Sequence, residues 1–381
     1  MLTELEKINL LPEEQRNTLL VMMALRPDDL VEQPEVNKWY TYYPENCICS
    51  NKVPYKGTMK IGTENKLLIL FCGGGVAADA YSAARPDKIN QRDVKETFYL
   101  PDTDVIGYFF GRSGLANQKI EENPYKNWSV VVIPYASGDF HCGTNDFYYN
   151  DEEVGEGVCH HLGYLNFCAM IEKIQEFVPN PEEVIISGFS AGGFGAALLT
   201  NDIISKFPKC EDFYCLIDSS SLEYDGWTKT AVNQWKAPES ISEVMMSNNL
   251  MVDAILDANS KQGKKLKLAF TCTYRDALLV EAQSYLDFRV KKSDKVTGDR
   301  LQQVLRNTYE VLHKAIPNMS FYFYDMASNE LEGTGLTDHT IIGVETVFNM
   351  SYEGIRMIDW IANTQKGTNQ NVGVELLYKE N

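Results

Sequence analysis

The chain has 381 residues, 44% hydrophobic and 23% charged, and its 53 Asp and Glu against 35 Lys and Arg give a formal charge of −18. No run approaches the ~18 apolar residues that cross a bilayer, and no block of like charges or low-complexity tract stands out, which counts against a membrane span and long disorder. The acidic balance argues against nucleic acid, and equally against a polyanionic substrate, because both call for Lys and Arg to neutralise the partner's charge.

Residues 3–25 alternate apolar and charged positions with helical period and stop before Arg26-Pro27, which predicts an amphipathic helix. The domain reading follows: 1–30 as this helix packed on the domain, and 31–381 as a single α/β domain. The first residues carry acids at once and lack an uninterrupted apolar core, so they do not read as a signal peptide. A cytoplasmic setting is expected, or a secreted one if a leader was removed.

From residue 66 short apolar runs begin: LLILF (67–71), VVVIPY (130–135), VIIS (184–187), YCLID (214–218), KLAFTCT (267–273) and FYFYDM (321–326). Helix-length segments are predicted at 163–178, 193–206, 240–258, 276–290, 299–315 and 352–363. Strands buried on both faces and joined by helices imply right-handed crossovers in a mostly parallel, doubly wound α/β sheet. Stretches 73–128 and 219–240 are too long for plain connections and are expected to fold over the C-terminal edge of the sheet, where ligands bind in such folds.

The nine cysteines are spread along the chain and odd in number, so this is no disulfide scaffold. Cys47-Ile48-Cys49 lacks the two-residue spacer of a zinc or redox pair, and no metal site is expected. His160 and His161 are read as loop residues preceding a helix.

Gly188-Phe189-Ser190-Ala191-Gly192-Gly193 follows VIIS directly and precedes a helical run. A serine on a sharp strand-to-helix turn needs small neighbours, and G-x-S-x-G supplies them at the right offsets. Ser190 is the candidate nucleophile; a capping hydroxyl at an anion-binding turn is the other reading. A serine hydroxyl needs a base, and the base a third group to orient it. Such partners follow the serine in the order acid, then histidine. His339 lies in a loop beyond the last strand, whereas His313 sits inside a helical pattern. Asp276, just past KLAFTCT, is the first choice for the acid and Glu281 the runner-up. Asp276 could instead cap the helix that begins there, and one carboxylate does not easily serve both roles. Cys72-Gly73-Gly74-Gly75-Val76, after an early strand, offers a loop whose N–H groups can face a developing oxyanion, together with the N–H of Ala191.

These motifs together resemble the pectin acetylesterase and Notum family of carboxylester hydrolases. The likeness runs from about Cys49 to His339. It is carried by CSNKVPYKGTMKIGTENKLLILFCGGG, NPYKNWSVVVIPYASGDFHCG, GYLNFCAMIEKIQEF and GFSAGGFGA. It implies an α/β-hydrolase fold, triad roles for Ser190, Asp276 and His339, and oxyanion or substrate contacts from Gly74, Gly75, Val76 and Ala191. The family usually has Trp after the glycines and cysteine in its IPYC segment, where this chain has Val76 and Ala136. Asp139 and His141 of SGDFHCG are expected to line the site or to brace it. Asp218-Ser219-Ser220 resembles a family position near the pocket, and reads equally as an ordinary strand-to-loop turn.

The resulting expectation is a serine esterase that removes acetyl or another short acyl group from a carbohydrate or similar hydroxylated carrier. No cofactor is needed. With a charge of −18, a neutral acetylated glycan or small ester is at least as good a substrate as an anionic polymer. A lipid-type deacylase with a wider pocket, and a non-catalytic binding protein on the same scaffold, are the alternatives.

Overall fold

The computed structural model describes residues 26–87, 96–103 and 112–380. The helix expected over 3–25 lies outside them; of the 1–30 segment, only its end is described, and there Asp28–Asp29 form an edge strand.

Along the chain the strands are β1 (Asp28–Asp29), β2 (Trp39–Tyr42), β3 (Gly57–Lys60), β4 (Lys66–Phe71), β5 (Ser129–Ile133), β6 (Asn145–Asp151), β7 (Gly155–His161), β8 (Glu183–Phe189), β9 (Phe213–Asp218), β10 (Leu266–Thr273) and β11 (Ser320–Tyr324). All but β6 and β7 belong to a nine-stranded sheet of order β1-β2-β3-β5-β4-β8-β9-β10-β11. From β5 across to β11 each neighbouring pair is parallel, while β3 is antiparallel to both β2 and β5. β6 and β7 pair as a separate antiparallel hairpin.

Side chains alternate across a strand, so each strand feeds two cores. On β4, Leu67, Ile69 and Phe71 enter one core and Leu68 and Leu70 the other. The first is covered by α1 (Gly163–Phe177), α2 (Ala191–Lys206), α3 (Leu250–Gln262), α4 (Ala277–Phe288) and α5 (Lys295–Ala315), the second by α6 (Met357–Gln365) with Trp39 and Trp128. The strand runs and the doubly wound arrangement read from the sequence are those of the structure.

Several boundaries differ. The helix expected over 240–258 is broken: one turn covers Glu239–Ser242, and α3 starts only after Asn249, whose side chain accepts the Val252 N–H. A good N-cap inside an apolar run restarts the helix there. The helix expected from 352 starts at Met357, because Ser351–Tyr352 and Ile355–Arg356 form a hairpin about Glu353 and Gly354, with φ of 50° and 75°. Two left-handed residues in succession make the tight turn that suits strand twist. His160 and His161 belong to β7, paired with Asp146 and Asn145, and not to a loop.

Trp360 on α6 is fully buried against Tyr322, with Nε1 donating to Gln370 O at 2.9 Å. Trp360→Ala should lower the unfolding free energy by about 3–5 kcal/mol, read as a drop in the urea midpoint at unchanged m.

Candidate active site

β8 ends at Phe189 and α2 begins at Ala191, which leaves Ser190 as the whole connection. Its φ of 55° and ψ of −131° are sparsely populated by any residue with a side chain and cost about 1–3 kcal/mol. The surroundings hold the turn: the Ser190 N–H donates to Asp218 O at 2.9 Å, and its carbonyl accepts from the Gly193 N–H at 2.9 Å and Ser220 Oγ at 2.6 Å. A Cβ on Gly192 would overlap the Phe71 carbonyl of β4, so only glycine lets the new helix lie this close to the sheet. The turn therefore presents the Ser190 side chain to a cavity beyond the strand ends.

His339 lines the same cavity. Its Nδ1 lies 2.8 and 2.7 Å from Asp276 Oδ1 and Oδ2. With that nitrogen donating to the carboxylate, Nε2 is the basic nitrogen of the neutral ring. Burial pulls the imidazole pKa down, but the charge and hydrogen bond of Asp276, with Asp218 farther off, carry it above the ordinary histidine value. No direct hydrogen bond joins Ser190 Oγ to His339 in this structure. Bonds of this kind are often long before substrate binds and tighten with it.

Asp276 is fully buried and caps α4, Oδ1 accepting from the N–H groups of Leu278 (3.1 Å) and Leu279 (3.0 Å). The expectation that one carboxylate could not easily serve helix and histidine together is corrected. A carboxylate has about four acceptor sites: the cap uses Oδ1 alone, while the imidazole also reaches Oδ2. Glu281, the runner-up, lies about one and a half turns farther along α4, where it also lines the cavity and pairs with Lys291 Nζ at 3.1 Å. The preceding residue, Arg275, is also fully buried. Its guanidinium donates to Gly335 O and Lys295 O at 2.6 Å, to Gln302 Oε1 at 3.1 Å and to Asp299. Backbone bonds between 275–277 and Thr337 close the same seam. The loop carrying His339 is thereby fastened to the start of α4.

Gly73, Gly74, Gly75 and Val76 line the cavity opposite. Gly75 has φ 78°, and a Cβ there would overlap the Phe98 carbonyl. Val76 does not fit the donor role expected of it, since its N–H is spent on Phe98 O at 2.9 Å. The N–H groups of Gly74, Gly75 and Ala191 donate to no group among the described residues. Asp139 and His141 brace the loop from behind and do not line the cavity. Asp139, buried, accepts from Ser137 Oγ and from the N–H groups of His141, Gly143 and Gly163 at 2.6–3.1 Å. Burial lowers the His141 pKa to about 4. The neutral ring donates Nε2–H to Cys72 O at 3.0 Å, fixing the residue that opens the glycine loop.

The cavity measures about 340 Å³. Three charged residues, Asp87, Glu281 and Lys291, line it, but its walls are mostly apolar, with Phe98, Leu100, Phe140, Phe189, Phe194 and Leu222 joined by Leu278, Leu279, Ala282, Tyr285 and Leu286 of α4. The sequence reading missed this wall. The signal was present, since 278, 282 and 285 recur at helical spacing directly after the candidate acid.

A model of the pectinacetylesterase family matches residues 58–262, more than half of the chain. The chain belongs to this family. The match takes in the glycine loop, SGDFHCG and the serine turn. Two crystal forms of the Wnt deacylase Notum from Drosophila share the fold: TM-score 0.58 over 87% of this chain and 95% of that one, and 0.55 over 86% and 92%, each at 16% identity. This pectinacetylesterase-family protein is thus a carboxylester hydrolase of the α/β-hydrolase fold. None of its described helices is long and apolar enough to cross a membrane, and none of its nine cysteines is in a disulfide.

The double duty of Asp276 gives a direct test. Asp276→Ala removes the cap and should cost about 1 kcal/mol of stability or somewhat more. Asp276→Asn, which keeps an acceptor oxygen for the cap, should leave the urea midpoint much nearer the parent.

Proposed function

We propose that the protein is a serine carboxylesterase with one catalytic unit over 31–381, in which Ser190 is the nucleophile, His339 the general base and Asp276 the group that orients it. The observation that supports this most is the imidazole of His339 held by both oxygens of a buried carboxylate and facing the cavity that also takes the strained Ser190.

In this reading Ser190 Oγ attacks the ester carbonyl while His339 Nε2 takes its proton. Asp276 keeps the proton of the other ring nitrogen in place and stabilises the imidazolium. The negative oxygen of the tetrahedral intermediate is received by the N–H groups of Gly74, Gly75 and Ala191, fixed before the reaction starts. His339 then protonates the leaving alcohol, and water, activated by the same imidazole, releases the acid from the acyl-serine. No cofactor takes part in this scheme.

The cavity favours an acyl group larger than acetate. Its mostly apolar walls and volume of about 340 Å³ lie within the range of drug-sized ligand sites, so the wider-pocket alternative fits better than the short-acyl one. The alcohol is a neutral hydroxylated carrier, in keeping with the charge of −18. Each buried methylene contributes about 0.8 kcal/mol, so kcat/KM for a hexanoyl nitrophenyl ester should exceed that for the acetyl ester by about tenfold or more. Equal rates, or a preference for acetate, would return the reading to a short-acyl deacetylase.

Ser190→Ala should lose about 10³-fold or more in kcat and should not be labelled by a fluorophosphonate probe that labels the parent. Equal labelling of the two would favour a binding protein on a hydrolase scaffold. The base acts only when neutral, and the His339 pKa is raised. Activity should therefore rise with pH through a midpoint above 6.5. Removing the Asp276 charge lowers that pKa, so the residual activity of Asp276→Asn should have its acid limb at lower pH.

A further inference from the structure

β9 ends at Asp218, and this residue reaches both halves of the proposed relay. Its carbonyl accepts the Ser190 N–H at 2.9 Å, and Ser220 Oγ lies 2.7 Å from that carbonyl and 2.6 Å from the carbonyl of Ser190. Its fully buried carboxylate turns toward the other loop. Oδ2 accepts the N–H groups of Ile341 at 2.7 Å and Ile342 at 3.0 Å, just past His339, and Oδ1 accepts Ser219 Oγ at 3.0 Å. Ser219 Oγ in turn accepts the Thr340 N–H at 3.3 Å. Both backbones are left-handed at the junction, with φ of 51° at Ser219 and 60° at Thr340, a conformation that persists only where its surroundings enforce it. A buried carboxylate is costly unless hydrogen-bonded, and here its bonds are spent on the loop that carries His339.

No direct hydrogen bond links Ser190 to His339, so their approach is set by the backbones that carry them. We infer that Asp218 is a positioning residue for the esterase reaction, its main chain fixing the serine turn and its side chain fixing the His339 loop, so that a single residue sets the spacing of nucleophile and base. The inference rests on the serine-esterase reading above.

The test uses the full chain, a nitrophenyl ester, and hydrogen exchange over residues 337–345. Asp218→Ala removes the tie. Asp218→Asn keeps an oxygen that can receive the Ile341 and Ile342 N–H groups. Misplacing reacting groups by about 1 Å can cost roughly 10²-fold. The alanine variant should therefore lose about 30-fold or more in kcat, with KM within about threefold, and should exchange faster over 337–345. The asparagine variant should recover to within about fivefold of the parent kcat and regain protection. A folded alanine variant within about threefold of the parent kcat would overturn the inference. So would an asparagine variant down by about 30-fold with 337–345 still protected, and this arm decides alone if the alanine variant does not fold. Ser190→Ala is assayed alongside: unchanged turnover there sinks the serine-esterase reading itself, whatever Asp218 does.

Discussion

The one-residue turn at Ser190 is the constraint on which the rest depends. β8 is an interior parallel strand between β4 and β9, and its chain passes into α2 without a loop to absorb the change of direction. That passage forces a left-handed serine and leaves space for nothing larger than hydrogen at Gly192. The strain is met by hydrogen bonds from the neighbouring strand end, at Asp218 and Ser220. The neighbouring elements thus carry the cost of exposing one hydroxyl at the rim of the sheet.

Opposite that turn the recurring device is the buried carboxylate that does more than one job. Asp276 caps the start of a helix and holds an imidazole. Asp139 gathers backbone N–H groups from the segment after β5 and from the start of α1. Each is acceptable away from water because main-chain donors surround it. Removing such a group leaves several N–H groups unsatisfied at once, so these positions couple the stability of the fold to the geometry of the site.

Much of this was legible in the sequence because it rests on local chemistry. Runs such as LLILF and VIIS are strands by length and apolarity alone, and the serine turn announces itself through its glycines. Asp276 and His339, which lie in hydrogen-bond contact in the fold, were candidates from chain order. Less legible was what depends on partners distant along the chain. Val76 looks like an oxyanion donor until Phe98 O takes its N–H. Asp139 and His141 look like contact residues until their burial is seen. The cavity beside Ser190 is built by α4 together with Phe98 and Phe140, a tertiary fact that no single segment contains. Boundaries failed where a side chain intervened, as Asn249 does at the start of α3.

The thiols carry a separate consequence. Cys72 adjoins the glycine loop and Cys272 lies on β10 shortly before Asp276; both are fully buried and burial pushes both thiols well up, while Cys159 is pushed up to about 12 by the same cause. Such sulfhydryls stay protonated and are shielded from alkylating agents and peroxide. Among the described residues no two cysteines are bridged. The thiols that adjoin the glycine loop and the start of α4 are for these reasons poor targets for oxidation.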